Sequence, residues 1–186
     1  MTHRLLCLAL FGTLILLSGC ATLSEGQCRT LSWEQLGRMD GRQGYPASRL
    51  FEHSKACADY GIAIDDRAYH QGRDRGLLDY CTADNGFQEG RKGARYYGVC
   101  PALIEPDFLE RYRDGRLLHD AESELSRIEE RIERLEYQLD SDELDNNQRR
   151  QLNRELRELF RDYRYQQHDL LRLEQRYAAP LPRSRY

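Results

Sequence analysis

Apolar residues recur at alternating spacings of three and four along two long stretches in the second half of the chain. The first stretch places them at Leu118, Ala121, Leu125, Ile128, Ile132, Leu135 and Leu139, and the second at Leu152, Leu156, Leu159, Tyr163, Gln166, Leu170, Leu173 and Tyr177, with Gln166 as the polar exception. Such spacing keeps one face of an α-helix apolar. It predicts two helical arms, Phe108 to Leu139 and Asn147 to Tyr177, each about 45–50 Å long.

Turn and capping residues fill the interval between the two arms, from Asp140 to Asn147. Matched arms around a short linker are typical of an antiparallel hairpin that folds on itself. The alternative is a single long helix that dimerises in parallel. Its seam would have to cross the interval, which offers Leu144 and no other apolar residue. We therefore favour the coiled-coil hairpin, followed by a flexible tail over residues 178–186.

The first half of the chain contains a loose repeat built on glycine. Each copy has an aromatic residue, then Gly-Arg three or four residues later, and the first three copies have a second glycine after it. The copies are Trp33 with Gly37, Arg38 and Gly41; Tyr69 with Gly72, Arg73 and Gly76; Phe87 with Gly90, Arg91 and Gly93; and, in part, Tyr112 with Gly115 and Arg116. Glycines at this spacing share one side of a helix, where another backbone can approach closely. A phosphate-binding loop is excluded, because no apolar strand precedes these units and no Lys-Ser or Lys-Thr follows them.

Capping residues place two helices of this half. Asp65 is a suitable N-cap for a helix over about 66–80. Pro46 and Ser48 would open an earlier helix, and Gly61 could end it. The sequence thus predicts an all-α protein with a small helical head over residues 20–105 and a hairpin over 106–177, divided near Pro106.

The N-terminus has the three parts of an export signal. Arg4 is the only charged residue of its polar start, and an apolar run from Leu5 to Leu17 follows. As a helix this run would measure about 20 Å, too short for a bilayer core of roughly 30 Å. The segment Leu17-Ser18-Gly19-Cys20 is similar to the lipobox of bacterial lipoproteins. We therefore expect residues 1–19 to be a signal peptide and Cys20 to carry acyl chains such as palmitate, which anchor the protein stably in a membrane. Ala21 favours the outer membrane over retention in the inner one.

Four cysteines remain beyond Cys20. Cys28, Cys57, Cys81 and Cys100 form an even set that is typical of two disulfides in an oxidising periplasm. A zinc site is disfavoured, because there is no Cys-x-x-Cys pair and no nearby histidine. Four cysteines allow three connectivities. We predict Cys28–Cys57 and Cys81–Cys100, since each pair joins consecutive segments of the repeat and closes a short loop.

Charge and motifs exclude several functions. Loss of Arg4 with the signal peptide changes the net charge from −3 to −4, which disfavours a nucleic-acid partner. No metal-ligand spacing links His53, His70, His119 and His168, and we expect each at the surface or on a helix flank. Asp140 and Asp142 resemble the start of a calcium loop, but Asp145 stands where that loop needs glycine. Catalytic motifs are absent from the sequence, so we expect no enzyme activity, no cofactor and no metal.

Several ordered blocks of the head resemble a known family. They are Trp33 through Gly44, Ala56-Cys57-Ala58, Tyr69 through Arg73, Tyr80-Cys81-Thr82, Asn85-Gly86-Phe87 and Tyr96 through Pro101. Together they resemble the uncharacterised Gram-negative lipoproteins grouped as domain of unknown function number twenty-seven ninety-nine, over roughly Cys20 to Arg116. The resemblance implies an envelope location and a Cys/Gly domain, and it implies no catalytic residue.

Two functions remain open. The first is a structural or scaffolding lipoprotein, anchored in the membrane, that faces the periplasm and engages another envelope protein. The second is an envelope enzyme, or a small-ligand or glycan-binding module, that uses the Tyr/Arg/Gly-rich head. Tyrosine and arginine anchor many interfaces, although the head tyrosines would more often fill a core. A concave pocket with converging charges in the head favours the second function, and exposed apolar surface on the hairpin favours the first.

Overall fold

The computed structural model describes residues 22–177, and these residues form seven helices and no strand. The signal segment, Cys20 and the tail over 178–186 lie outside the described residues. The helices are α1 (Glu25–Thr30), α2 (Trp33–Arg42), α3 (Arg49–Ala58), α4 (Asp66–Tyr80), α5 (Ala83–Arg91), α6 (Glu105–Leu139) and α7 (Asn146–Tyr177). The prediction of an all-α fold is confirmed.

The contacts between residues divide the chain into two compact units, one up to Asp79 and one from Tyr80. The predicted boundary near Pro106 falls at the first turn of α6 instead, within the second unit. In the described part of the chain no helix combines the length and the apolar character that crossing a membrane requires.

In the first unit, α2 and α4 cross where glycines replace side chains. A methyl group on Gly41 would lie 2.2 Å from the carbonyl oxygen of Arg73, and one on Gly76 would lie 2.3 Å from that of Arg38. Distances this short are sterically forbidden, so only glycine allows the two backbones to approach this closely. The predicted close packing at glycine is therefore confirmed, and the first copy of the repeat pairs with the second.

The second unit repeats this arrangement with α5 and the start of α6. A methyl group would lie 2.2 Å from the carbonyl oxygen of Tyr112 if added to Gly90, and 2.2 Å from that of Phe87 if added to Gly115. The third copy thus pairs with the fourth. One detail differs from the repeat: Gly93 lies beyond the end of α5 with φ of 68°, and Gly86 supplies the other close approach.

Each unit also contains one disulfide. Cys28 at α1 bonds Cys57 at the end of α3, and Cys81 before α5 bonds Cys100 before α6. Both predicted pairings are confirmed. In each unit the second cysteine lies between the two glycine-packed helices in sequence, and the first cysteine lies before both of them. The disulfide therefore links the segment that joins the two helices to the segment that precedes them.

The long helices α6 and α7 form the predicted hairpin. The seam residues Leu118, Ile128, Ile132 and Leu135 of α6 are buried. The direction of α7 is antiparallel to α6, because Arg149 donates to the carbonyl oxygen of Leu139 at one end of the hairpin (2.7 Å), while Arg111 donates to that of Tyr177 at the other (3.1 Å).

Contacts along the hairpin give its register. Arg131 of α6 forms an ion pair with Glu155 of α7, and the hydroxyl of Tyr163 donates to Glu129, which raises the Tyr163 pKa. Ile128 and Leu159 line one cavity of about 550 Å³ along the hairpin, as expected from folding about the linker. The chain therefore turns back within the interval and does not continue as one rod.

Candidate functional site

A buried carboxylate joins three helices of the first unit. One oxygen of Asp40 in α2, Oδ2, lies 2.8 Å from Nε2 of His53 in α3 and accepts a 2.7 Å hydrogen bond from the hydroxyl of Tyr69 in α4. The other ring nitrogen of His53 lies 2.9 Å from the hydroxyl of Thr22. A carboxylate oxygen that already accepts from Tyr69 acts as an acceptor, so His53 donates to it from Nε2. We call these four residues the Asp40 cluster.

Burial defines what the Asp40 cluster can do. Asp40 is 5% exposed, His53 is 2% exposed and Tyr69 is fully buried. Burial, and the bond to Asp40, raise the pKa of Tyr69 well above its ordinary value, so the phenol stays neutral and remains a donor. A hydroxyl, an imidazole and a carboxylate in a row also form hydrolytic triads. Here the imidazole of His53 is almost inaccessible to solvent. The Asp40 cluster therefore links α2, α3 and α4 by hydrogen bonds.

A buried arginine adds a second link in each unit. The guanidinium of Arg73 in α4 donates twice to the carbonyl oxygen of Tyr45, at 3.0 and 3.2 Å. Arg111 in α6 lies 4.5 Å from the centre of the Phe87 ring and pairs with Asp114 at 2.8 Å. Both arginines are at most 8% exposed. These two buried arginines therefore contribute to the packing of their units.

Tyrosines of the head contribute to packing in the same way, but only in part. Tyr69 and Tyr80 are buried, and Tyr80 packs on Phe108 with ring centres 5.2 Å apart. Tyr96 also packs against Phe108, with ring centres 4.9 Å apart, and its hydroxyl donates to Glu105 at 2.7 Å. Partial burial and this bond raise the Tyr96 pKa to about 12. Tyr60 and Tyr97 remain exposed.

Helix α7 presents the least covered apolar surface of the hairpin. Each of its eight seam residues is half-buried, and none of the residues of α7 is fully buried. Beside the seam, Phe160 and Leu171 are 39% and 52% exposed. They lie three turns apart and therefore on one flank of the helix. The seam residues of α6 are therefore far better covered than those of α7.

A cavity also opens at the tip of the hairpin, where α6 ends and α7 begins. Its volume is about 650 Å³, and its lining combines Tyr137, Leu144 and Leu152 with the polar side chains of Gln138 and Gln148. Tyr137 is 83% exposed. The tip therefore offers apolar, amide and carboxylate groups together.

The structure assigns a place to most of the residues singled out in the sequence. Asp65 caps α4, since its Oδ1 accepts from the backbone N–H of Ala68 at 2.9 Å, as predicted. The expectation that every histidine lies at the surface or on a helix flank is wrong for His53. Its position three residues after Leu50 and four before Cys57, both buried on the same face of α3, was the available sign that it points inward. Among the described residues no group of acidic, histidine or cysteine side chains could hold a metal ion.

The fold and these contacts define a class of protein: an all-helical, disulfide-braced chain in which two glycine-packed helix pairs precede a long hairpin arm. Within this class, residues 32–117 match the family model described as a protein of unknown function, DUF2799. The resemblance of the head to this family is confirmed over these residues. The match covers both glycine-packed helix pairs and stops inside α6, before most of the hairpin. No curated protein and no solved structure matches the chain significantly.

Proposed function

We propose that this protein is a structural or scaffolding lipoprotein of the bacterial envelope, held in the outer membrane by acyl chains on Cys20 and facing the periplasm. Its hairpin binds another envelope protein through α7. The observation that carries the proposal is the half-covered seam of α7, together with exposed Phe160 and Leu171 on its flank. Apolar surface of this kind marks protein-binding sites.

The start of the first unit supports the anchoring role. Leu23 is 5% exposed and Thr22 is bonded to His53, so the packed domain begins at once after Ala21. Two peptide units separate the Cα atoms of Cys20 and Thr22, a span of at most about 7.6 Å. Acyl chains on Cys20 would therefore hold this unit at the membrane surface without a long flexible spacer.

The head offers less support for an enzyme or a ligand-binding module. Two ionisable side chains of the head, His53 and Tyr69, converge on Asp40, and all three are buried. The glycines of its helix crossings accommodate neighbouring backbones, and its buried Arg73 donates to the backbone carbonyl of Tyr45. These residues stabilise the head, and the exposed surface of the hairpin is left for recognition.

Site-specific photo-crosslinking in cells tests the proposed partner surface. A photoreactive amino acid at Phe160 or Leu171 should give a discrete crosslinked species that mass spectrometry identifies as one envelope protein. Arg127 and Arg134 of α6 are matched controls, since they are exposed and paired with Glu124 and Glu130 of their own helix. Equal crosslinking from all four positions, or none from the α7 positions, would contradict the proposal.

A further inference from the structure

Helix α7 carries a straight row of arginines on its solvent side. Arg150, Arg154, Arg157, Arg161 and Arg164 follow one another at spacings of four, three, four and three. That spacing aligns them along one face over about 21 Å. All five are exposed. We call this row the arginine stripe.

The arginine stripe is not neutralised within the described part of the chain. None of its five guanidinium groups forms an ion pair with a carboxylate of residues 22–177, and Arg150 bonds only the neutral amide of Asn147. The carboxylates of α7 are Glu155, Glu158, Asp162, Asp169 and Glu174. At about 100° per residue, each lies about 80° or more from the centre of the stripe. The stripe itself therefore contains no carboxylate, although Glu155, Glu158 and Asp162 lie on the side of the helix next to Arg154.

Beside one end of the stripe, arginine and asparagine side chains of α7 surround a shallow, open depression, in which Arg149 also donates to the carbonyl oxygens of Leu139 and Ser141. A cavity of about 430 Å³ at the start of α7 is lined only by arginine and asparagine, namely Asn146, Arg149, Arg150, Asn153, Arg154 and Arg157. Guanidinium groups bind phosphate oxygens in a bidentate manner, and amide groups can complete the contact. No carboxylate lines this cavity, so an anion would enter it without repulsion from the lining.

We propose that the arginine stripe binds the negatively charged phosphate headgroups of a membrane surface. A straight row of charges along a helix can contact a planar array of headgroups along its whole length. The adjacent Tyr165 is 65% exposed, and its amphipathic ring favours the headgroup region. This inference goes beyond the proposed function and does not rest on it, because the stripe excludes the seam of α7; Phe160 and Leu171 lie between the two.

Vesicle binding tests the proposal. The chain from residue 20 onward, with Cys20→Ser so that no acyl chain contributes, is sedimented with vesicles of phosphatidylcholine with or without phosphatidylglycerol. Binding should require phosphatidylglycerol and weaken with added salt. Each arginine near an anionic surface contributes about fivefold in affinity. The triple variant Arg154→Gln, Arg157→Gln, Arg161→Gln should therefore bind about 100-fold more weakly.

A second triple variant is the matched control. Arg127→Gln, Arg131→Gln and Arg134→Gln remove the same charge from α6, where each arginine already pairs with a carboxylate. This variant should bind within about threefold of the parent chain, and circular dichroism should show the same helix content in all three proteins. Equal loss in both variants would mean that binding follows net charge alone and would overturn the proposal.

Two further outcomes separate other ligands from a membrane surface. Binding to poly-glutamate without binding to phosphatidylglycerol vesicles would identify an acidic protein as the partner and would overturn the proposal. Displacement from vesicles by inorganic phosphate, beyond that by chloride of equal ionic strength, would identify a site for free phosphate and would overturn it as well. Failure of crosslinking at Phe160 would leave vesicle binding unaffected, so the two proposals fail separately.

Discussion

Single residues decide how closely the helices of each unit meet. At Gly41 and Gly90 the space for a side chain is occupied by a carbonyl oxygen of the facing helix, that of Arg73 and that of Tyr112. In the first unit the contact is reinforced by Asp40, which lies on the same face of α2 as Gly37 and Gly41. A hydrogen-bonded carboxylate beside a glycine contact can reach two neighbouring helices, because neither is held away by a side chain.

Alanine at Gly41 should destabilise the first unit. The new methyl group would meet backbone atoms at 2.2 Å, and overpacking of this kind costs about 1–3 kcal/mol or more. Gly26→Ala in α1 is the control, since nothing lies within 4 Å of the added atom. It should be neutral or stabilising by up to about 1 kcal/mol through helix propensity. Urea unfolding of both variants measures the difference, and equal stabilities would contradict the close-packing interpretation.

Tyr96 should make the stability of the second unit sensitive to alkaline pH. Its pKa rises from the ordinary 10.0 to about 12, through burial first and then the bond to Glu105. The folded state thus retains a proton that the unfolded state loses. The associated stability is complete below pH 10 and is lost as pH rises through about 12.

The variant Tyr96→Phe separates this effect from general alkaline unfolding. It removes the hydroxyl that donates to Glu105 and accepts from the backbone N–H of Cys100, so it should lose about 1–3 kcal/mol at neutral pH. Between pH 10 and 12 its stability should fall less steeply than that of the parent chain. Urea unfolding across this pH range checks both points, and parallel pH curves would refute the assignment.

Among the elements, the hairpin joins two helices of unequal coverage. Three seam residues in the middle of α6, Ile128, Ile132 and Leu135, are at most 8% exposed, whereas the facing residues of α7 are half-buried. The hairpin therefore depends on a few well-buried side chains of α6. It also leaves apolar surface on α7 for a further contact.

Aspartate at Ile132 should separate the two arms. Removal of a buried isoleucine side chain costs about 2–5 kcal/mol, and burial of a charge without a partner adds to this cost. Ser126→Asp places the same charge on an exposed position of α6 and should change stability by less than about 0.5 kcal/mol. Limited proteolysis should cleave α7 rapidly in the first variant only. Equal resistance in both would show that the seam does not hold the hairpin.

At the scale of the whole molecule, the two units follow one plan. Each has a disulfide, a short helix with two glycines and a longer helix that crosses it and contains a buried arginine. In the second unit the longer helix continues as α6 and forms the hairpin with α7. The family match over residues 32–117 spans both glycine-packed helix pairs, but it begins after Cys28 and ends before most of the hairpin.

Membrane attachment is the prediction that concerns the entire chain. Replacement of the Cys20 thiol in Cys20→Ser should abolish incorporation of labelled fatty acid and removal of the signal peptide by the lipoprotein pathway. Cys7→Ser is the control, because Cys7 lies within the apolar run and would be removed with it. Metabolic labelling followed by membrane fractionation distinguishes the variants. Continued labelling of Cys20→Ser would refute the anchor.

Local pattern was sufficient for the helices and for the fold of the arms. The seam spacing of α6 and α7 and the cap at Asp65 act over a few residues or along one helix, and each disulfide joins neighbouring cysteines of the sequence, 29 and 19 residues apart. The arms, the start of α4 and both disulfides were therefore predictable, and so was the antiparallel turn, since the linker has no seam to continue.

Only the tertiary structure decided which surfaces meet. Glycine spacing shows that a helix can be approached closely, but it does not name the partner, and here the copies pair in order within each unit. His53 is polar and its sequence neighbourhood gives no partner, yet it is buried because Asp40 and Thr22 bond both of its ring nitrogens. Burial of a polar group depends on hydrogen-bond partners that are distant in sequence. Only folding of the chain brings Thr22, Asp40 and His53 within hydrogen-bond distance of one another.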